Sequence, residues 1–182
     1  LDQDSTTLSD DTLDVLTQAV EGHLNRRLQE HHRLQKRIAW ATNESSIPLP
    51  HSMIQLKQVS VDRVRYEQYP VNQEEKAAAL PPSFVSYGDC IRVWPEPSQP
   101  TSYSLDVVLA LPSLTDPLSD PNWVAEYHAD IYQRGLLAEA AGFLRDPQNQ
   151  ATWRQSFETL VEELRLQGWN EGIADAPRVR AV

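Results

Sequence analysis

Apolar residues recur along this chain with two different periods, and the change from one to the other divides it into parts. Leu13, Leu16, Val20, Leu24 and Leu28 are spaced by 3, 4, 4 and 4 residues, the spacing of one buried stripe on an α-helix. Ser9 or Asp10 stands ahead of them as an N-cap. Asp11 and Asp14 lie near the positive end of the helix dipole, Arg26 and Arg27 near the negative end. The pattern predicts a helix over 9–30, preceded by a flexible arm, LDQDSTT. From 33 to 114 the period falls to two. LQKRIAWA (34–41) predicts a first strand, and SIPLPHSMIQLKQVSV turns at two prolines into a second near Ile54–Val61. SFVSYGDCIRVWP predicts a hairpin whose Gly88-Asp89 turn puts glycine first. In YSLDVVLAL, Tyr103, Leu105, Val107, Leu109 and Leu111 share one face. YPVNQEEKAAALPP reads as a loop with one helical turn. Eleven of the thirteen prolines lie between Pro48 and Pro121, which leaves both ends free to be helical.

The helical period returns after Asp120. SDPNW predicts a helix start with Pro121 at or near the first position, and helices are expected over 121–145 and 147–167. The first has no clean solvent face: Ile131, Tyr132, Leu136, Leu137, Phe143 and Leu144 spread around it, with Gly135, Ala138 and Gly142 as a ridge of small residues. Such a ridge lets another backbone approach closely, either the first helix of the same chain or a neighbouring copy. Asp146 caps the next helix with Pro147 at its first position, and Trp153, Phe157, Leu160, Val161 and Leu164 form its apolar face. Gly168 is expected to end it. The arm 168–182 carries Trp169, Ile173, Arg178, Val179 and Arg180, too few apolar residues to fold alone, and suits folding on a partner. The expected fold class is α+β: a three-helix bundle with a small antiparallel β-sheet inserted between its first and second helices, and flexible arms at both ends.

Composition narrows the function. At 182 residues the chain is long enough for one domain, 1–182, with a substantial core. A net charge of −10 argues against a polyanion binder. The single cysteine, Cys90, excludes an internal disulfide framework and fits a reducing compartment; it reads as a small buried hydrophobe. No apolar run approaches the ~18 residues of a membrane span. Nothing reads as a signal peptide, and the start at Leu1 leaves room for a missing upstream segment. A soluble, cytosolic globular protein is expected. Glu126, His128 and Asp130 sit at i, i+2 spacing, which in an intact helix points them about 200° apart, so no metal site is expected there or at His31-His32. No phosphate-binding glycine loop or nucleophile motif is present, so no cofactor and no enzymatic role are expected. The competing readings are a monomeric or dimeric protein-binding module and, behind it, a hydrolase with a dispersed site.

Six local signatures in order resemble the head-to-tail adaptor (connector) proteins of tailed bacteriophages: a capped helix ending in HLNRRL, then IPLPHSMIQLKQVSV, YGDCIRVWPEP, YSLDVVLALPSLTD, NWVAEYHADIYQRGLLAEAAGFLRD and WRQSFETLVEEL. They cover roughly 8 to 166. The chain departs from the family pattern at VVLA, where tyrosines are usual, and at the VA after Asn122-Trp123, where a leucine pair is usual. The resemblance implies a structural virion protein at the head–tail junction, made in the host cytoplasm. It implies a ring of twelve copies docked on the portal protein, a platform for a tail or nozzle protein, and DNA passing its channel without sequence-specific binding. In a ring each copy lies between two others, so the uneven charge gains a meaning. Residues 1–22 carry six acids and no lysine or arginine, whereas 23–37 carry five lysines and arginines against Glu30. Arg33, Lys36 and Arg37 lie beyond the expected reach of helix-dipole compensation. They are expected to face Asp10, Asp11 and Asp14 of the next copy and fix register, with the Gly135/Ala138/Gly142 ridge in the same interface. Trp169, Ile173, Arg178, Val179 and Arg180 are expected to form an arm that docks on the portal.

Overall fold

The computed structural model of the protein describes residues 8–80, 82–118 and 121–174, with side chains as far as Gly168. The chain forms two compact units, one from 1–32 with 111–182 and one from 33–110. The described residues hold five α-helices and two four-stranded sheets. This overturns the three-helix bundle with one small antiparallel sheet. The reason is the length of the missed pieces: several strands have two or three residues, too few to show a period, and the partners of β2 (Ser46–Pro48) and β5 (Glu67–Tyr69) are distant in sequence.

The first unit is helical. Helix α1 (Asp10–Arg27) is capped by Ser9, whose hydroxyl accepts from the Thr12 N–H. Leu16, Val20 and Leu24 are buried, Leu28 follows at the C-cap, and Leu13 is 40% exposed. The helix ends at Arg27 rather than near 30 because the chain turns there: the Leu28 N–H donates to Leu24 O and the His31 N–H to Leu28 O, carrying the His31 ring inward, where it is buried. The expected helix over 121–145 is two helices. Helix α3 (Trp123–Tyr127) starts at Asn122, whose Oδ1 accepts from the Val124 and Ala125 N–H groups; Asn122, not the proline before it, sets the start. His128 breaks the helix with φ −138° and ψ 46° before α4 (Ala129–Phe143) begins.

Helix α4 buries Ile131, Tyr132, Gly135, Ala138 and Ala141, while Phe143 and Leu144 remain 59% and 51% exposed. Its end is a Schellman turn. Arg145 takes φ 58°, its N–H donates to Gly142 O, and the Asp146 N–H donates to Ala141 O. Asp146 then caps α5 (Pro147–Ala174) through the Asn149 N–H. Phe157, Val161 and Leu164 are its buried stripe. Gly168 does not end α5, which runs on to Ala174.

The second unit is a two-sheet sandwich. The first sheet orders its strands β1 (Gln35–Thr42), β8 (Thr101–Leu109), β3 (Met53–Val61) and β4 (Val64–Arg65), all antiparallel. The second orders β2 (Ser46–Pro48), β7 (Cys90–Trp94), β6 (Ser83–Ser86) and β5 (Glu67–Tyr69). There β5 and β6 are parallel, joined through α2 (Glu74–Ala79), as parallel neighbours need a crossover. Val59, Tyr103, Leu105 and Val107 of one sheet meet Ile47, Phe84, Ile91 and Val93 of the other in one apolar cluster. Behind the second sheet, Ala77 of α2 covers Val85 and Trp94, and the Ser83 hydroxyl donates to Ala77 O.

Two hairpin turns differ in legibility. Gly88 takes φ 92°, and the Tyr87 N–H donates to Cys90 O across the turn. Between β3 and β4, Asp62 and Arg63 both take positive φ, 49° and 69°, which is unusual without glycine. There Asp62 Oδ1 accepts from the Ser102 N–H, and the Asp62 N–H donates to Ser102 O.

Candidate assembly surfaces

The charged residues singled out by the sequence fall on both units. Asp10, Asp11 and Asp14 are exposed at the start of α1. At its other end, Arg27 reaches Glu158 (3.6 Å) and Glu162 (4.0 Å) of α5, so it works inside the helical unit. Arg33 and Lys36 are exposed in the β unit. Arg37 is engaged there by a two-pronged contact with Asp106, Nε to Oδ1 at 2.6 Å and Nη2 to Oδ2 at 2.9 Å. That hydrogen bond, ahead of simple charge attraction, holds the Asp106 carboxyl below the usual carboxylate range. Charge is divided sharply between the units. Residues 33–110 carry eight lysines and arginines against eight aspartates and glutamates, so the net −10 belongs to the helical unit.

The small-residue ridge is covered by its own helical unit at all three positions. A Cβ at Gly135 would stand 2.8 Å from Val20 Cγ1 of α1 and 3.0 Å from Phe157 Cε2 of α5. Ala138 is fully buried. Gly142 lies under the Gln150 side chain. Of the arm residues, Trp169 and Ile173 belong to the last turns of α5, with side chains outside the described residues; Arg178, Val179 and Arg180 lie outside them altogether.

A polar network with no sequence period was missed. The loop after β8 is fastened to α1 by two side chains. Glu21, only 6% exposed, accepts from the Leu114 N–H (2.6 Å) and the Ser113 hydroxyl (2.8 Å). Asn25 Oδ1 accepts from the Leu111 N–H at 2.7 Å. From the other side Asn122 Nδ2 donates to Pro112 O (2.6 Å) and to the Tyr132 hydroxyl (2.7 Å). Burial, then the nearby Glu21 charge, pushes the Tyr132 phenol well above its ordinary range. The available signal was Asn122-Trp123 as a capped start; nothing in the sequence marks Glu21 as buried. Gly168 is a close contact and not the expected helix stop: a Cβ there would collide with the His31 ring. His31 in turn stacks on His32 (4.8 Å) and Trp123 (4.7 Å).

Other polar residues are structural in their surroundings. His23 Nε2 lies 2.9 Å from Glu158 Oε1 without an aligned hydrogen bond, and its ring packs against Phe157. Burial pulls its pKa below 6.5, opposed by Glu158. Glu126, His128 and Asp130 straddle the break between α3 and α4, so they do not occupy one intact helix. Among the described residues no group of three or more histidine, cysteine, aspartate or glutamate side chains is placed to hold a metal ion, and no helix is long and apolar enough to cross a membrane.

No curated protein matches the chain. The family model described as SU10 adaptor protein matches residues 1–181, nearly its whole length. A match over nearly the whole length shows that the chain belongs to the SU10 adaptor protein family, a family of structural adaptor proteins of bacteriophages.

Proposed function

We propose that copies of this chain form a closed ring that docks on the portal protein and joins the capsid to a tail or nozzle protein, with the packaged DNA passing through its channel. The observation that carries the proposal is the family match over residues 1–181. The uneven charge supports it. Exposed acids at the start of α1, Asp10, Asp11 and Asp14, and exposed cations at the start of the β unit, Arg33 and Lys36, lie on different units of the chain. A head-to-tail contact between copies pairs such unlike patches and repeats around a ring. Their attraction sets register and encounter rate more than affinity. The acidic helical unit also suits a channel wall that DNA passes without sticking.

The test is the native mass of the purified protein, alone and mixed with the portal ring from the same genome. A many-copy assembly that appears with the portal supports the reading. A monomer that ignores the portal overturns it. Changing Arg33, Lys36 and Arg37 to Glu in an assembling protein then tests the register: loss of the assembly is expected, and an intact one removes these residues from the interface.

A further inference from the structure

Strand β1 is an eight-residue edge, Gln35–Thr42, hydrogen-bonded on one side to β8 and paired with no strand on the other among the described residues. The sheet's opposite edge, β4, has only two residues, and the second sheet ends in strands of three. Folded proteins keep edges short or charged, because a long edge templates another strand. Beyond Arg37 this edge carries no charge: it reads Ile38, Ala39, Trp40, Ala41, Thr42. Its two faces differ. Ile38 and Trp40, half-buried, open with Pro48, Leu49, Pro50 and Leu105 onto an apolar groove of about 310 Å³. Ala39 and Ala41 are exposed on the opposite face, where their small side chains leave room for long neighbours.

A strand suited to this edge needs small or medium apolar residues on one face and long polar ones on the other. The chain has such a segment outside the described residues: Pro177-Arg178-Val179-Arg180-Ala181-Val182. In antiparallel register with Arg180 opposite Ala39, Val179 and Ala181 stand opposite Trp40 and Ile38 over the groove. Arg178 and Arg180 then lie beside Ala41 and Ala39, and Pro177 falls at the strand start, where its missing N–H is tolerated. Exposed Glu44 follows the same end of β1 and complements Arg178 in charge.

We infer that the β1 edge is a strand-addition site occupied by residues 177–182 of a second copy, so that neighbouring copies are linked by a shared sheet. This rests on the ring reading for the source of the strand, and it gives the arm a copy of its own chain as partner in place of the portal.

The test uses full-length protein in a Cys90→Ser background, mixed with the portal ring. A chain carrying Ala39→Cys is combined with one carrying Arg180→Cys and oxidised, and native mass is recorded on the same sample. A disulfide between the two different chains is expected, and is expected to be lost when Val179→Cys, on the other face, replaces Arg180→Cys. A many-copy assembly without that disulfide overturns the shared strand and leaves the ring standing. Neither assembly nor disulfide overturns both. If the bond forms only within one chain when both cysteines are placed on it, the site belongs to the chain's own tail and the exchange is overturned. Arg180→Cys captured by the portal instead also overturns it.

Discussion

The two units of this protein solve the same problem by different means. The β unit is electrically neutral and is held by apolar side chains from two facing sheets, with its ion pairs, such as Arg37–Asp106, at the surface. The helical unit carries the whole net charge and combines an apolar stripe with polar fastenings: buried Glu21 and Asn122 and half-buried Asn25 on the loop after β8, and two glycines where helices and rings come into contact. Apolar interdigitation tolerates substitutions that keep volume. A buried carboxylate that accepts two hydrogen bonds tolerates almost none, because its partners are left unsatisfied. The contrast suggests a division of labour, in which the helical unit relies on polar contacts of fixed geometry and the β unit on apolar packing that leaves the long β1 edge open.

That contrast can be broken or sharpened by substitution. The largest effects are expected from truncating the two cores. Phe157→Ala removes the ring that packs against Gly135 and His23 and is expected to cost about 3–5 kcal/mol; Leu105→Ala, fully buried in the sandwich, about 2–5 kcal/mol. Denaturant midpoints read both, and a cost below ~1 kcal/mol at either site would contradict its core role. Next comes overpacking. Gly135→Leu drives a side chain into Val20 and Phe157 and is expected to cost about 1–3 kcal/mol or more, whereas an unchanged midpoint would mean the helices part easily there.

Glu21→Ala is expected to cost about 1–3 kcal/mol by leaving the Leu114 N–H and Ser113 hydroxyl without their acceptor. Glu21→Gln keeps one acceptor but turns an amide N–H₂ towards the other donor, so it should destabilise as well. Exchange of the Leu114 amide with solvent deuterium reads the fastening directly, and protection that survives Glu21→Ala would remove Glu21 from this role.

The smallest effects concern pH. His23 has a folded pKa below its ordinary 6.5, so between those values the unfolded chain binds more protons and stability rises with pH. Its contribution is complete above about 6.5 and is lost as pH falls through the lower folded value. His23→Gln is expected to flatten the stability profile across that window, and an equally sloped profile would exclude His23 as its source. Asp106 obeys the same sign further down. Its contribution is present above the ordinary aspartate value of 3.8 and is lost as pH falls through the depressed folded value. Arg37→Gln should remove that dependence while barely moving the midpoint at neutral pH, as exposed pairs contribute little.

Periods of 3.6 and 2 found what they encode. The buried run Leu16, Val20, Leu24, Leu28 and the β8 face of Tyr103, Leu105 and Val107 were readable because each buries one side of a regular element. The Gly88 turn was readable because glycine there answers a local need. The Asp62-Arg63 turn was not, since its positive φ angles accompany hydrogen bonds to Ser102, distant in sequence. The β6–β7 hairpin was readable too, but its place in a second sheet escaped because the flanking strands β2 and β5 are too short to repeat a pattern, and Glu21 escaped because a buried acid looks the same in sequence as a solvated one. Gly168 misled for a related reason: glycine marks either a helix end or a close contact, and only the position of His31 decides between them.

By itself the sequence determined where the helical ends and the β-rich middle lie, how charge is distributed along the chain, and the local signatures that resemble tailed-phage adaptors; these depend on neighbours a few residues apart. The tertiary structure alone decided how many sheets there are, which strand is left as an open edge, which glycines are contacts, and which carboxylate is buried. Those outcomes depend on pairs of residues tens of positions apart. Their free energy comes from excluding water and satisfying hydrogen bonds at places that no local period describes.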